Sequence, residues 1–367
     1  MTLGPRIYNL FPLLVGSVQD WSGHLARIAG MQFDWVFLNP IHYPGFSGSL
    51  YAVKDPYRLH DRFQGGASES PDDLIRGFCG RAEEHGMRVM LDLVVNHTAK
   101  DSVLAQQHPE WFRREADGTL YSPRAVDPVD PAKVTIWGDL AELDYENPQA
   151  RAGLVDYWRH YVQHYVGLGV KGFRCDAAYQ VPAPVWRELI DAAHDIDGEV
   201  EFYAETLGCT VEQVDALGDA GFDYLFNSAK WWDFQEPWLL DQYNQFRHIA
   251  PSVAFPESHD TERLAADVGS QDRERLAAIL KMRYLFSACF SAGVMMPIGY
   301  EYGFTRKMDV VKSTPEDWEE PKVDISQFVA DVNSMRAATP SSGSPQKSCT
   351  SASAAAVRWA ASEAPPK

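Results

Sequence analysis

The sequence predicts a (β/α)8 TIM barrel, an α/β fold, carrying a subdomain inserted between the third strand and the third helix. Three observations lead there. Short apolar runs alternate with helical patterns along most of the 367-residue chain, giving eight strand signals. The alternation breaks once, from Ala99 to about Leu143, where the chain turns polar and irregular with prolines at 109, 123, 128 and 131. Acids stand at or near the ends of several predicted strands. A doubly wound sheet is the alternative, but eight near-regular units favour the barrel.

Arg6–Phe11 reads as the first strand, and Trp21–Ala29 as a short helix with Asp20 as its N-cap. Phe33–Leu38 is the second strand, and Ile41 to Gly66 a loop rich in Gly, Pro and Tyr. Ser70-Pro71-Asp72-Asp73 opens a helix with proline in its first turn and acids near its positive end. Met87–Leu93 is the third strand. After the excursion, Asn147–Leu168 is a long helix rich in Tyr and Trp, and Val170–Cys175 the fourth strand. Strands at Glu199–Ala204, Phe222–Phe226, Ser252–Phe255 and Gly293–Ile298 complete the eight. Helices at Pro184–Asp195, Val211–Asp219, Pro237–Ile249, Asp272–Ser291 and Asp324–Met335 alternate with them. Residues 1–98 and 144–338 thus form the barrel, and 99–143 the insertion. The Ser-, Ala- and Pro-rich tail, 339–367, reads as low-complexity and disordered, with no room for a further β-domain.

Composition narrows the function. Hydrophobic residues make up 45% of the chain, enough for a large core, and the net charge of −18 argues against nucleic acid or an anionic membrane as partner. The five cysteines form no CxxC pair and no zinc spacing, and an odd number cannot all pair within the chain. Reduced thiols, a start without a signal pattern and no membrane-length apolar run make the expected location cytoplasmic. No metal site and no cofactor are expected.

The chemistry centres on Val170–Asp176. Side chains alternate along a strand, so Arg174 and Asp176 point the same way, and the guanidinium favours an ionised carboxylate. The same pair also fits an ordinary buried ion pair. Asp92, Asp176, Glu205 and Asp260 sit at or near the ends of the third, fourth, fifth and seventh strands, which converge on one face of a barrel. Two facing carboxyls can split a glycosidic bond, one attacking the anomeric carbon and the other protonating the leaving oxygen. Asp176 suits the first role. Glu205, after the apolar run from Val200, suits the second, because a less polar site raises its pKa. Asp260 could hold two sugar hydroxyls, and His97 and His259 could donate to hydroxyls.

These residues resemble the ordered motifs of the α-amylase superfamily. The motifs are Asp92-Leu-Val-Val-Asn96-His97-Thr98, Gly172-Phe-Arg174-Cys-Asp176-Ala, Ala204-Glu205-Thr and Glu257-Ser-His259-Asp260-Thr261. Leu140–Pro148, Gly293–Glu301 and Tyr51–Tyr57 resemble further family segments, so the likeness runs from about Arg6 to Met335. It implies an enzyme acting on an α-glucan or maltooligosaccharide with retention, as hydrolase or transglycosylase. It makes Asp176 the nucleophile, Glu205 the acid/base and Asp260 the transition-state stabiliser. Tyr51, Asp92, His97, Arg174 and His259 would line the innermost sugar site, and Asp55 in the tyrosine segment is counted with them.

Departures matter. Ala177-Ala178-Tyr179-Gln180 stands where many amylases carry a Lys-His pair that grips the leaving-group side and helps hold a calcium. Asn96 alone is not a calcium site. Within the superfamily the chain is similar to bacterial maltosyltransferases that use maltose 1-phosphate, though no basic phosphate cradle is visible. Trp231 and Trp232, after the sixth strand, could form a stacking platform for an acceptor sugar or could simply pack the rim. A catalytically silent barrel that binds carbohydrate or a partner protein is the reading from another class.

Overall fold

The computed structural model describes residues 4–126, 132–269 and 272–338. Eight parallel strands close into a barrel: β1 (Arg6–Asn9), β2 (Trp35–Leu38), β3 (Arg88–Leu93), β4 (Gly172–Cys175), β5 (Glu201–Ala204), β6 (Tyr224–Phe226), β7 (Ser252–Ala254) and β8 (Gly293–Pro297). Each strand pairs with its sequence neighbours, and β8 returns to β1 with Val294 beside Arg6. The principal helices are α1 (Leu25–Gly30), α2 (Pro71–Glu84), α3 (Pro148–Gly167), α4 (Ala183–His194), α5 (Val211–Asp215), α6 (Trp238–Phe246), α7 (Arg273–Phe290) and α8 (Ser326–Ala338). The tail at 339–367 and residues 127–131 of the insertion lie outside the described residues. Among the described residues no helix is long and apolar enough to cross a membrane.

The period-2 pattern of the strands divides the core. Ile7, Trp35, Phe37, Met90, Tyr203, Phe226, Val253 and Met295 pack in one cluster inside the barrel. Their alternates, among them Tyr8, Val36, Leu91, Phe173, Phe202 and Val294, pack outward in the cluster shared with the helices. Each large apolar side chain buried this way is worth roughly 1.5–3 kcal/mol. Gly172 opens β4 because a Cβ there would come within 2.8 Å of the Trp35 ring. The same parity fixes the site. On β4, Phe173 and Cys175 face the helices, so Gly172 and Arg174 face inward. Arg174 sits in register with Asp92 on β3 and Tyr203 on β5.

Local signals explain several boundaries. Ser70 caps α2 by accepting from the Asp73 N–H, and Asn147 caps α3 through the Gln149 N–H. Asp20 is not an N-cap. Ser17 caps Val18–Ser22, with Asp20 as the reciprocal partner of a capping box, and the helix expected over Trp21–Ala29 is broken at Gly23-His24. The stretch read as loop from Ile41 contains an antiparallel hairpin, His42–Pro44 with Val53–Leu59, whose register shifts twice. Between β3 and α3 the chain leaves the barrel. His97–Ala99 pairs with Leu140–Glu142, and Arg124–Val126 with Val134–Ile136.

Candidate active site

Asp176 and Glu205 follow β4 and β5 directly, at the C-terminal mouth of the barrel. Arg174 Nη1 donates to both oxygens of Asp92, at 2.8 and 2.9 Å, and to Asp176 Oδ1 at 2.9 Å. Burial works against the Arg174 charge, but Asp92, Tyr51 and Asp176 outweigh it and raise its pKa well above the usual value. Burial pushes the Asp92 carboxyl up, against the pull of Arg174.

Glu205 is buried and held by backbone. Its Oε2 accepts from the Ala177 N–H at 2.9 Å, and its Oε1 from the Leu207 N–H at 2.6 Å. Ala177 sits in the left-handed region, φ 41°, so the turn after Asp176 aims its N–H at Glu205. Burial lifts the Glu205 pKa to about 7; Arg174 opposes the rise and Asp176 adds to it.

Tyr51 joins the two halves of the mouth. Its hydroxyl donates to Asp92 Oδ2 at 2.6 Å and accepts from Asn39 Nδ2 at 3.0 Å. It also lies 2.7 Å from His259 Nε2, and the two rings stack at 5.4 Å. With the Tyr51 hydroxyl donating to Asp92, His259 Nε2–H donates to the Tyr51 oxygen, and Nε2 also lies 3.2 Å from Asp260 Oδ2. His97 Nε2 lies 3.1 Å from the Tyr51 carbonyl. Burial lowers the pKa of both histidines, and the buried Nδ1 atom of each has no protein partner.

The remaining expected residues separate. Asp55 does not join the cluster; its carboxylate accepts from the Tyr57 N–H at 3.0 Å and faces the tyrosines of α3. Trp232 is 7% exposed, packs against Phe234 and Phe286, and donates to the Glu236 carbonyl, so it is core and not a platform. Trp231 is 51% exposed and meets Phe255 edge-on. The locus around Asn96 does not fit calcium. Asn96 Nδ2 donates to Gln180 Oε1 at 3.3 Å, and the single orphaned Oδ1 falls short of the roughly six to eight oxygens calcium takes. Among the described residues no group of three or more His, Cys, Asp or Glu could hold a metal.

Residues 6–114 match the family described as glycogen debranching enzyme, glucanotransferase domain. An α-1,4-glucan:maltose-1-phosphate maltosyltransferase of Burkholderia pseudomallei is 26% identical over 344 residues, 92% of this chain and 29% of that protein. The enzyme of the same name from Mycobacterium tuberculosis is 30% identical over 271 residues, 66% of this chain and 36% of that protein. Among solved structures, a Lactobacillus plantarum α-amylase superposes with TM-score 0.69 at 24% identity, covering 90% of this chain and 79% of that one. A maltogenic α-amylase of Thermotoga neapolitana gives TM-score 0.69 at 25% identity, covering 91% and 77%. The chain belongs to the α-amylase superfamily. It spans well under half the length of the curated relatives it matches.

For a superfamily member, several supporting residues escape a motif reading. Asn9 Nδ2 donates to Asn39 Oδ1 at 2.9 Å, and Asn39 in turn holds the Tyr51 hydroxyl. The available signal was two asparagines at or just past the ends of apolar strands. The buried Glu257–Arg263 pair, at 2.7 Å, braces the loop carrying His259 and Asp260. Glu257 also accepts from the Leu264 N–H, and Arg263 donates to the Arg306 carbonyl. Glu257 stands in a motif quoted above, but its partner Arg263 lies beyond it across a loop with no helix or strand, where no periodicity reveals the pair.

Proposed function

We propose that this chain is a retaining α-glycosidase-type enzyme acting on α-glucans or maltooligosaccharides through a covalent glycosyl-Asp176 intermediate. The observation that carries the reading is the pairing of unlike carboxyls. Asp176 is tied to a guanidinium, while its neighbour Glu205 is buried and lifted to about 7. In the first step an Asp176 oxygen bonds to the anomeric carbon, the glycosidic bond breaks, and the Glu205 proton goes to the departing oxygen. In the second, Glu205 takes a proton from water or from a sugar hydroxyl. That oxygen bonds to the anomeric carbon, and the Asp176 ester bond breaks. Asp260, 63% exposed at its side chain and beside His259, holds substrate hydroxyls as the ring flattens. Tyr51, His97 and Arg174 fix the floor of the innermost sugar site.

Maltosyl transfer from maltose 1-phosphate is the second reading, favoured by the name shared by the curated relatives, with a sugar hydroxyl in place of water. Exposed Trp231 supports transfer as a surface for an acceptor sugar. Cys79, Cys175 and Cys209 are free thiols, which supports a cytoplasmic location. The test is incubation with aryl α-glucosides, maltooligosaccharides and maltose 1-phosphate, with product chromatography, in wild type and Glu205→Gln. Glu205→Gln should lose least on the best leaving group and recover partly with azide. Equal losses on all substrates without azide rescue would contradict the assignment.

A further inference from the structure

The asparagines at the ends of β1 and β2 set the direction of the hydrogen bonds that run into the mouth of the barrel. Asn9 closes β1, Asn39 stands one residue past β2, and both are fully buried. The direction starts at a backbone carbonyl, which can only accept. Phe37 O takes the Leu10 N–H at 2.9 Å and Asn9 Nδ2 at 3.2 Å, so the amide nitrogen of Asn9 is the atom that faces it. The same Nδ2 lies 2.9 Å from Asn39, which must offer its Oδ1. A flipped Asn39 would set two donors against each other. Asn39 Nδ2 is then the atom that faces the Tyr51 oxygen, and it donates there at 3.0 Å.

A phenol oxygen that already accepts one bond has room for one more, and it has a single proton to give. The two other neighbours of the Tyr51 oxygen, Asp92 Oδ2 at 2.6 Å and His259 Nε2 at 2.7 Å, must therefore take opposite roles. Asp92 is the acceptor, because Arg174 Nη1 donates to both of its oxygens. His259 is the donor. Its Nε2–H also faces Asp260 Oδ2 at 3.2 Å, and its buried, unpartnered Nδ1 then carries a lone pair and not an N–H. Without a proton on Nε2, two acceptors would meet at that 3.2 Å contact and push the Asp260 carboxylate away. A chain of bonds from the first two strands thus reaches Asp260, through a Tyr51 ring stacked within 6° of parallel on His259.

We propose that Asn9 and Asn39 are positioning residues for the reaction: acting through Tyr51, they keep its proton on Asp92 and its oxygen open to the His259 N–H, which in turn holds Asp260 in place. This rests on the glycosidase reading above. The test is the rate per folded molecule of Asn39→Asp and Asn39→Leu on an aryl α-maltoside from pH 5 to 8, with urea midpoints alongside. The imidazole nitrogen NMR spectrum of His259 in wild type at pH 8 is the second readout. Ionised, Asn39→Asp keeps the shape but offers Tyr51 an acceptor in place of a donor, so the Tyr51 proton is drawn off Asp92. At pH 8 its kcat should fall about tenfold, the size of one lost hydrogen bond, with KM changed by less than about twofold. Burial raises the pKa of the new carboxyl, and its protonated form again accepts from Asn9 and donates to Tyr51. The rate relative to wild type should therefore recover as pH falls. Asn39→Leu, which neither donates nor accepts, should lose about threefold at every pH. A lowered urea midpoint with the wild-type rate at every pH in either variant would reduce the asparagines to packing and overturn the proposal. The spectrum should show His259 protonated at Nε2 and bare at Nδ1, and the opposite tautomer overturns the relay whatever the activity. A wild type that turns over none of the sugar substrates removes the glycosidase reading, and with it the role in the reaction, while the spectrum still decides the direction of the bonds.

Discussion

Glu205→Gln gives a stability prediction that needs no substrate. The Glu205 carboxyl stands at about 7 in the fold against 4.5 for an ordinary side chain. Its folded form therefore holds the proton more tightly than the unfolded chain does. Stability from this group is fully present below about 4.5 and is lost as pH rises to about 7. At about 1.4 kcal/mol per unit, the loss across that window is roughly 3 kcal/mol. Glutamine cannot titrate. It also sets one amide N–H against the Ala177 or Leu207 N–H that now donates to the carboxylate, a penalty of about 1–3 kcal/mol that does not vary with pH. Burial also raises the Asp92 pKa, but Asp92 is present in both proteins and largely cancels from their difference. Urea unfolding of wild type and variant should be followed from pH 4.5 to 8.5. The variant should be less stable at the acid end and should gain roughly 2–3 kcal/mol relative to wild type by the alkaline end. A difference that stays constant with pH would refute a buried, raised Glu205.

Asp176→Asn should fold normally and lose at least about a thousandfold in turnover, since each ~1.4 kcal/mol of lost barrier reduction is tenfold; near-normal turnover of the purified variant would remove Asp176 from the chemistry. The activity of wild type should fall as pH rises through about 7, as Glu205 loses the proton it must donate, and a rate that is flat from pH 6 to 9 would argue against that role. Trp232→Ala should destabilise the fold by about 3–5 kcal/mol in denaturant, whereas Trp231→Ala should leave the midpoint nearly unchanged and lower the ratio of transfer to hydrolysis products. Arg263→Ala leaves the Glu257 charge buried and should cost about 3–5 kcal/mol, much of it recovered in the Arg263→Met, Glu257→Gln double variant.

The barrel was legible because its signals are local. Each strand carries a short apolar run, and caps such as Ser70 and Asn147 mark helix starts within a few residues. The acids at the mouth were legible because strand ends converge once a barrel is assumed. The hairpin after β2 was not, because its strands are half-exposed, shifted in register and interrupted by the Gly- and Pro-rich turn that carries Phe46. Asp20 and Ser17 are three residues apart and both fit a cap; only the reciprocal bond distinguishes them. Adjacent Trp231 and Trp232 have the same residue type, and only tertiary packing sends one into the core and the other to the rim. Asp55 shared a segment with Tyr51, but the hairpin turns it toward α3.

The central claim is a covalent bond to Asp176, and the direct measurement is mass spectrometry of Glu205→Gln after incubation with α-maltosyl fluoride. Fluoride leaves without help from an acid, so the glycosyl group can pass to the Asp176 carboxylate, and the missing base at 205 then slows its release. The expected result is an increase of one maltosyl mass on the intact variant, mapping to the peptide containing Asp176 and absent when Asp176→Asn is added. Turnover with no adduct, or an adduct that maps elsewhere and survives Asp176→Asn, would contradict it.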